Sequence, residues 1–238
     1  MTSTLGDVET PHSLAPEWMS ARPAARASAR PKYAAELIGT FFLVFTAGIS
    51  VITHNALASL AIGAVLVAMI YAGGHISGGH YNPAVTVAAL VRGRIGARDA
   101  VAYWVAQLAG GLLAAAAVAG EAHRARTTAP SLSGHAMTTA AVAELLFTFA
   151  LCYVVLNVAT SKAHPANSFY GLAVGFTVAA GVIAVGGVSG GVFNPAITLA
   201  ATVLGLFTWS TFWGYVVVQL VAGAVAGFVF LALNPEDK

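Results

Sequence analysis

Charged residues are scarce in this chain of 238 residues, where Asp, Glu, Lys and Arg together make up 8% of the sequence. Soluble domains carry about 25% charged residues, so the composition excludes an ordinary water-soluble fold. Hydrophobic residues make up 58% of the chain, and the mean hydropathy is +0.80. Together these values indicate an integral membrane protein.

Cysteine is nearly absent as well, because Cys152 is the single one and has no partner for an intramolecular disulfide. Residues 1–31 carry both acids and bases and lack a short apolar core before a cleavage site, so we do not expect them to be a signal peptide. We expect residues 1–32 to form a disordered cytoplasmic tail. A single membrane domain over 33–233 and a short cytoplasmic tail over 234–238 would follow it.

Six apolar segments are long enough to cross a bilayer, which takes about 20 residues in a helix. They cover approximately residues 34–52, 56–72, 100–119, 136–159, 169–185 and 208–233. Two further apolar stretches, over residues 83–90 and 195–204, are about half as long. Because lipid satisfies no backbone polar group, irregular chain that leads into such a short helix is tolerated only inside protein or beside a water-filled cavity. The two stretches therefore predict a pore.

The same motif introduces both short stretches. Its two copies, 112 positions apart, are Asn82-Pro83-Ala84 after Ser-Gly-Gly-His-Tyr and Asn194-Pro195-Ala196 after Ser-Gly-Gly-Val-Phe. Asn caps a helix by accepting from its first amides, and Pro is tolerated at the first helical position. Each motif is therefore predicted to begin a short helix.

The motifs belong to an internal duplication. Ala35-Glu36-Leu37 recurs as Ala143-Glu144-Leu145, and Gln107 recurs as Gln219. Each half, about residues 33–120 and 136–233, contains three spans, so the second half must enter the membrane in the opposite orientation. In such inverted repeats, interrupted segments at matching positions mark a site near the midplane. We expect the two short helices to approach from opposite faces with their amino ends together.

Basic residues set the expected orientation, because they favour the cytoplasmic side. With the amino terminus inside, the inner segments hold nine basic residues and the outer segments hold two. The inner ones are Arg22, Arg26, Arg30, Lys32, Arg92, Arg94, Arg98, Lys162 and Lys238, and the outer ones are Arg124 and Arg126. Both termini are therefore predicted to be cytoplasmic.

The sequence resembles the aquaporin, or major intrinsic protein, family. The resemblance rests on the paired Asn-Pro-Ala motifs, the repeat, the Ala-Glu-Leu-Ile-Gly-Thr-Phe start of the first span and the run from His75 to His80, and it covers about residues 33–233. It implies an all-α channel domain with six tilted transmembrane helices, two re-entrant half-helices and one pore per protomer. It also implies a homotetramer, which we expect in the plasma (inner) membrane, with no cofactor and no nucleic-acid partner.

Electrostatics would make such a pore selective for neutral solutes. Each half-helix amino end carries roughly half an elementary positive charge, so two facing ends disfavour cations and protons. We expect Asn82 and Asn194 to donate from their amide groups to a passing oxygen. Backbone carbonyls at four glycines would supply the acceptors, namely Gly78, Gly79, Gly190 and Gly191, and we expect the first three of them to line a pore vestibule.

Glu36 and Glu144 fall within the predicted spans, and acids inside a membrane are functional candidates. One interpretation is a proton-coupled transporter. The other, which the resemblance supports and which we favour, is that each carboxylate accepts from buried loop backbone and holds its half-helix in place. The two acids occupy matching positions, and no buried Lys or Arg in the spans would complete a proton relay.

His75 and His80 raise the possibility of a metal site, but their spacing of five differs from the i, i+4 pair of helical metal sites. No Cys or acid joins them in the loop, so we expect no metal. The resemblance places both histidines at the inner pore vestibule.

The sequence departs from the family pattern at the outer constriction. Most relatives place an arginine directly after the second Asn-Pro-Ala, where this chain has Ile197. When the sequence is aligned with the family pattern, the resemblance assigns the other three filter positions to Ile62, Val182 and Gly191. An apolar ring without a fixed cation is expected to be wider and less selective.

The sequence therefore favours a passive facilitator of water and of a larger neutral solute such as glycerol, urea, ammonia or a neutral metalloid hydroxide. A water-selective channel is the alternative if other side chains fill the gap. A secondary transporter shares inverted repeats but would couple flux to an ion gradient. A membrane enzyme would need a nucleophile with a base or a metal cluster among the spans, and the sequence suggests neither.

Overall fold

The computed structural model describes residues 29–125 and 132–237, which form eight α-helices and one short 3-10 helix. In chain order these are α1 (Ala29–Ile52), α2 (Ala58–Ser77), α3 (Pro83–Val91), α4 (Ala97–Arg124), α5 (Gly134–Thr160), α6 (Tyr170–Ser189), α7 (Pro195–Val203), α8 (Trp209–Leu233) and the 3-10 helix Pro235–Asp237. All the α-helices except α3 and α7, six in number, are long and apolar enough to cross a membrane. The predicted all-α architecture of six spans and two half-helices is confirmed.

Three spans end four or five residues later than predicted, and one of them is α4, which continues to Arg124. α2 continues to Ser77 and α6 to Ser189, and each stops where the next glycine adopts the left-handed conformation, with φ of 92° at Gly78 and 91° at Gly190. A left-handed glycine is the common end of a helix, because it satisfies the last carbonyls without a Cβ clash. The earlier Gly73 stays helical, and a Cβ there would overlap the Tyr81 hydroxyl.

The structure describes only part of each predicted tail. α1 begins at Ala29, so residues 29–32 are helical, while the rest of the predicted amino-terminal tail, residues 1–28, lies outside the described part of the chain. Near the carboxyl terminus, Asp237 is buried, and its carboxylate accepts from the Arg92 guanidinium at 2.9 Å and from the Lys162 amide at 2.9 Å. Residues 234–237 therefore pack against the domain instead of extending from it.

The duplication is visible in how the helices pack. α1 lies along α4, α5 lies along α8, and α2 pairs with α6. Gly111 of α4 and Gly223 of α8, at matching positions, allow the half-helices to approach closely. A Cβ at Gly111 would lie 3.0 Å from the Ala196 carbonyl oxygen of α7, and a Cβ at Gly223 would overlap the Ala84 carbonyl oxygen of α3. These two crossings place α3 and α7 in the middle of the domain.

The half-helices are the elements that position the site. Each has nine residues, begins at the predicted proline, and is about 14 Å long at 1.5 Å per residue. α3 and α7 contact each other, and their combined length of about 27 Å approaches the thickness of the hydrocarbon core. Two half-length helices that meet at their amino ends thus replace one full span.

Candidate functional site

Each half-helix begins at a capping asparagine, as predicted. Asn82 has extended backbone, and its side-chain oxygen accepts from the Ala84 amide at 2.8 Å. Asn194 repeats this arrangement with the Ala196 amide at 2.9 Å. Because the oxygen of each side chain is engaged by its own helix, the amide NH₂ group points away from it.

The two asparagines also join the halves of the protein, a link that sequence reasoning missed. Asn82 Nδ2 donates to the Phe193 carbonyl at 2.9 Å, and Asn194 Nδ2 donates to the Tyr81 carbonyl at 2.9 Å. An amide NH₂ group has two hydrogens, so one on each side chain is available for a solute. The amino ends of α3 and α7 are therefore fixed to each other's loops.

The residues that accept these bonds have an unusual backbone. Tyr81 and Phe193 have φ values of 48° and 50°, a left-handed conformation that is rare for bulky side chains. Both side chains are 1% exposed, and the Tyr81 hydroxyl donates to the Met69 carbonyl at 2.9 Å. Burial and hydrogen bonding hold a conformation that would otherwise relax, as is common at functional sites.

Both buried acids lie beneath the loops that precede the half-helices. Glu36 and Glu144 are each 0% exposed, and each accepts four hydrogen bonds between 2.7 and 3.0 Å. The donors to Glu36 are the Ser77 hydroxyl, the His80 and Tyr81 amides and the Gln107 side chain. The donors to Glu144 are the matching Ser189 hydroxyl, the Val192 and Phe193 amides and the Gln219 side chain.

This arrangement uses the loop amides and leaves the loop carbonyls available. The Gly79 and Gly191 amides donate to the Ser77 and Ser189 hydroxyls, each at 3.1 Å. Within residues 29–125 and 132–237, no protein donor reaches the carbonyls of Gly78, Gly79, His80, Gly190, Gly191 and Val192. Each loop can therefore offer three successive acceptors to a solute, which includes the four glycines predicted for this role.

A polar cavity of about 410 Å³ lies on the side of the predicted inner mouth. Its lining residues are Ser77, Gly78, His80, Ala89, Arg94, Val155, Leu156, Ala159, Thr160, Ser161, His164, Pro165 and Ala166. We call this cavity the inner vestibule. His80 lines it, and the imidazole Nδ1 lies 3.1 Å from the Thr86 hydroxyl.

The structure does not place His75 in the inner vestibule. His75 is exposed in the last turn of α2, because that helix continues to Ser77 and carries the side chain away from the loop. Gly79 does not line the cavity either. Among the described residues, no three His, Cys, Asp or Glu side chains come together as a metal site would require.

A smaller apolar cavity of about 170 Å³ lies beyond the second motif, and we call it the outer chamber. Its lining residues are Val44, Ala47, Gly48, Val51, Ile62, Val178, Gly190, Gly191, Val192, Ile197, Ala200, Ala201, Leu204, Leu206 and Phe207. Three of the four predicted filter residues, Ile62, Gly191 and Ile197, are therefore brought together. Gly190, predicted for a vestibule, lines this chamber.

The fourth filter position, Val182, stays a prediction. Val182 does not line the outer chamber, and Val178, one turn earlier on α6, does. Val182 lies against the loop, since a Cβ at Gly191 would be 3.0 Å from the Val182 Cα.

Sequence reasoning also missed two wall residues from the connection between α7 and α8. Leu206 and Phe207 both line the outer chamber, and the Phe207 ring leaves no room for a Cβ at Gly190. Ile62 and Ile197 are only 5% and 8% exposed. Apolar side chains thus occupy much of the space that the missing arginine was expected to leave open.

Comparisons with known proteins agree with this architecture. A family model described as Major intrinsic protein matches residues 23–230. The chain is 38% identical over 217 residues to glycerol uptake facilitator protein-like 6 of Lactiplantibacillus plantarum, a match that covers 87% of this chain and 99% of that protein. It is 33% identical over 234 residues to Aquaporin Z of Photorhabdus laumondii, a match that covers 87% of this chain and 99% of that protein. The X-ray structure of the aquaglyceroporin from Plasmodium falciparum superposes with a TM-score of 0.70 at 26% identity, covering 89% of this chain and 96% of that one.

Proposed function

Because the chain belongs to the major intrinsic protein family, we propose that it is a passive transmembrane channel for water and small neutral solutes. The observation that carries this proposal is the junction of the half-helices, where Asn82 donates to the Phe193 carbonyl and Asn194 to the Tyr81 carbonyl. One remaining amide hydrogen on each asparagine and the unpaired carbonyls of both loops form a path of donors and acceptors for a neutral molecule.

Exclusion of cations follows from the same junction. Each half-helix amino end carries roughly half an elementary positive charge, and the two ends lie together at the centre of the domain. A cation at that point would lose its hydration next to two positive dipole ends, whereas a neutral solute exchanges hydrogen bonds without that cost. We propose that protons and cations are rejected there.

The hydrogen bonds of the two buried acids support a scaffolding role for them. Four donors bind each carboxylate of Glu36 and Glu144. Two are amides of the loop before the half-helix, and a third is the hydroxyl of the serine that ends the preceding helix. A proton relay would need an acid that exchanges its proton with solvent or a neighbour, which this arrangement disfavours. We propose that the acids fix the loops and that transport needs no proton gradient.

We propose that the permeant solutes include water and a larger neutral molecule such as glycerol, urea, ammonia or a neutral metalloid hydroxide. The lack of an arginine at position 197 and the names of two similar proteins, a glycerol uptake facilitator protein and an aquaglyceroporin, support this proposal. One observation favours a second candidate, a water-selective channel. Leu206 and Phe207 add apolar side chains to the wall of the outer chamber, and the predicted filter residues Ile62 and Ile197 are only 5% and 8% exposed.

Stopped-flow light scattering on reconstituted vesicles distinguishes the two candidates. We expect vesicles with the protein to take up glycerol or urea faster than vesicles of the same lipid without it. Water flux without any excess of glycerol or urea would instead establish the water-selective candidate. Abolishing the proton and sodium gradients should leave downhill flux unchanged, and a loss of flux would indicate a secondary transporter.

Topology and assembly are part of the proposal. We propose an integral protein of the plasma (inner) membrane with both termini in the cytoplasm, no enzymatic activity and a homotetrameric assembly. The distribution of basic residues supports the orientation, since Arg92, Arg94 and Lys162 lie near the inner vestibule. Protease protection of terminal tags would test the orientation, and native mass spectrometry would test the tetramer.

A further inference from the structure

A buried ion pair joins the segment after α8 to the end of the half-helix α3. Arg92 is the C-cap of α3, and its Nη2 lies 2.9 Å from Asp237 Oδ1. The two side chains are only 4% and 8% exposed. Removing one partner of a buried ion pair is strongly destabilising, because the other charge stays buried without compensation. The pair therefore fixes the segment after α8 to the half-helix.

The second oxygen of the same carboxylate binds the connection between α5 and α6. Asp237 Oδ2 accepts from the Lys162 amide at 2.9 Å. Arg94 lies beside this contact, since its Nη2 is 3.8 Å from Asp237 Oδ1 and donates to the Thr160 carbonyl at 2.8 Å. One carboxylate thus links the end of α3 to the connection after α5. We call Arg92, Lys162 and Asp237 the clasp.

The connection that the clasp holds forms one wall of the inner vestibule. Four of its residues line that cavity, namely Ser161, His164, Pro165 and Ala166. The three clasp residues do not line it, so the clasp holds the connection from outside the cavity. Hydrogen bonds from the Asn167 side chain to the His164 and Val158 carbonyls join the connection to itself and to the end of α5. The Asp237 carboxylate instead joins it to the half-helix.

The other half of the protein cannot form an equivalent clasp. Positions 112 residues later hold Leu204 in place of Arg92 and Leu206 in place of Arg94, and both leucines line the outer chamber. α7 nevertheless has the same nine-residue length and the same asparagine cap as α3. A half-helix of this fold therefore does not require an ion pair at its end. The clasp answers a need of the inner mouth that the outer mouth lacks.

We propose that Asp237 is a positioning residue for the inner mouth of the channel. Its carboxylate keeps the connection at residues 161–166 in the wall of the inner vestibule and out of the solute path. Without the carboxylate, the connection loses this link to α3 and can move into the cavity, where His80 and Arg94 offer polar partners. The effect on transport rests on the channel function proposed above, whereas the effect on the connection does not.

Hydrogen exchange of the full chain tests the clasp without any flux measurement. In Asp237→Ala, we expect amides of residues 161–166 to exchange about tenfold faster, the factor that corresponds to losing one hydrogen bond to a charged group. The connection at residues 53–57, which lies between α1 and α2 in the matching place of the first half, should keep its rate. Glu236→Ala is the matched control, because it removes an exposed acid one position earlier.

A double variant, Arg92→Leu with Asp237→Ala, separates the lost link from the unpaired charge. It leaves no buried cation without a partner and supplies the residue found at position 204. The connection should again exchange faster than in the parent, because the Lys162 amide still lacks its acceptor. Exchange at the parent rate in the double variant, or in Asp237→Ala itself, would overturn the proposal.

Water flux through the same variants tests the consequence for transport. We expect osmotic water permeability of vesicles with Asp237→Ala or the double variant to fall about threefold, as it would if two thirds of the molecules left the competent arrangement. Glu236→Ala should leave it unchanged. Faster exchange with unchanged or higher permeability would contradict the positioning role. Parent vesicles no more permeable than lipid would reject the channel function instead, and the exchange rates would then decide whether the clasp holds the connection.

Discussion

At the scale of single residues, position 197 distinguishes this chain from the common pattern of its family. An arginine there would add a fixed cation and five donors to the outer constriction. Ile197 provides neither, and it lines the outer chamber together with Ile62 and Gly191. We therefore propose that selectivity at this section depends on the size of the solute and on the cost of losing its hydration.

The substitution Ile197→Arg should reduce glycerol or urea permeability more than water permeability. The guanidinium occupies volume in a chamber of about 170 Å³ and offers donors that a single water molecule can use. We expect a loss of about tenfold for the larger solute, which corresponds to about 1.4 kcal/mol in the barrier, and a smaller loss for water. Stopped-flow rates of the two solutes measure this, with Ile197→Leu as the volume-matched control. Equal losses for both would mean that residue 197 lies away from the constriction.

The buried acids allow a prediction about stability. In Glu144→Gln, one acceptor oxygen becomes an NH₂ group that faces the donors of Ser189 and Val192 or of Phe193 and Gln219. Each buried donor left without a partner costs about 1 to 3 kcal/mol, so thermal unfolding in detergent should occur at a clearly lower temperature. Glu36→Gln should behave in the same way, because its contacts match.

Glu121→Gln is the control for both substitutions. Glu121 is exposed on the last turns of α4 and pairs with Arg124, so its loss should change stability little. A stable Glu144→Gln variant whose flux depends on a proton gradient differently from the parent would contradict the scaffolding role and favour proton transfer.

At the scale of secondary-structure elements, the sequence predicted most of the fold. Hydrophobic length identified six spans, and the Asn-Pro dipeptides identified both half-helix starts at Pro83 and Pro195. It did not predict that α2 and α6 continue through glycines to Ser77 and Ser189. Glycine weakens helices on average, but in α2 the Tyr81 and Tyr170 side chains take up the space that a Cβ at Gly73 or Gly74 would fill, and packing outweighs propensity there.

The crossing of α8 over α3 depends on a missing side chain. In Gly223→Ala, the new Cβ overlaps the Ala84 carbonyl oxygen, so α8 must shift away from the half-helix. We expect a loss of about 1 to 3 kcal/mol in stability, typical of overpacking, together with reduced flux, since Ala84 lies two residues after the pore asparagine Asn82.

Two further glycines on α4 provide controls for Gly223→Ala. Gly111→Ala should have a milder effect, because its Cβ would lie 3.0 Å from the Ala196 carbonyl oxygen. A Cβ at Gly120 would have no neighbouring heavy atom within 4 Å, so Gly120→Ala should stabilise the helix by about 0.5 to 1 kcal/mol. Thermal unfolding of the three variants measures the series. Equal effects at positions 120 and 223 would show that the half-helix does not constrain α8.

At the scale of the whole molecule, the protein consists of two duplicated halves whose side chains differ at the two mouths of the expected path. The centre is nearly symmetric, since the contacts of Asn82 and Glu36 repeat at Asn194 and Glu144. The mouths are not, because Arg92 occupies the place of Leu204 and forms a buried ion pair with Asp237 at 2.9 Å.

The sequence alone could not predict how the two halves join. The links between Asn82 and Phe193 and between Asn194 and Tyr81 connect residues more than 110 positions apart, and the acceptors are backbone carbonyls that any residue type could supply. The sequence could not predict the walls of the outer chamber either, because Leu206 and Phe207 come from the connection between α7 and α8, which no motif marks. Motifs identified the chemistry of the site, and only the packing of both halves determined its shape.

The central claim is that two half-helices meet to form a conduit that passes neutral molecules and excludes protons. Stopped-flow measurement on one vesicle preparation, with light scattering for solute and a pH-sensitive dye for protons, tests it most directly. The account predicts water flux and flux of at least one small neutral solute above those of lipid alone, with a proton leak equal to that of lipid alone. Vesicles that conduct protons along with the solute, or that show no excess flux of any neutral molecule including water, would contradict it.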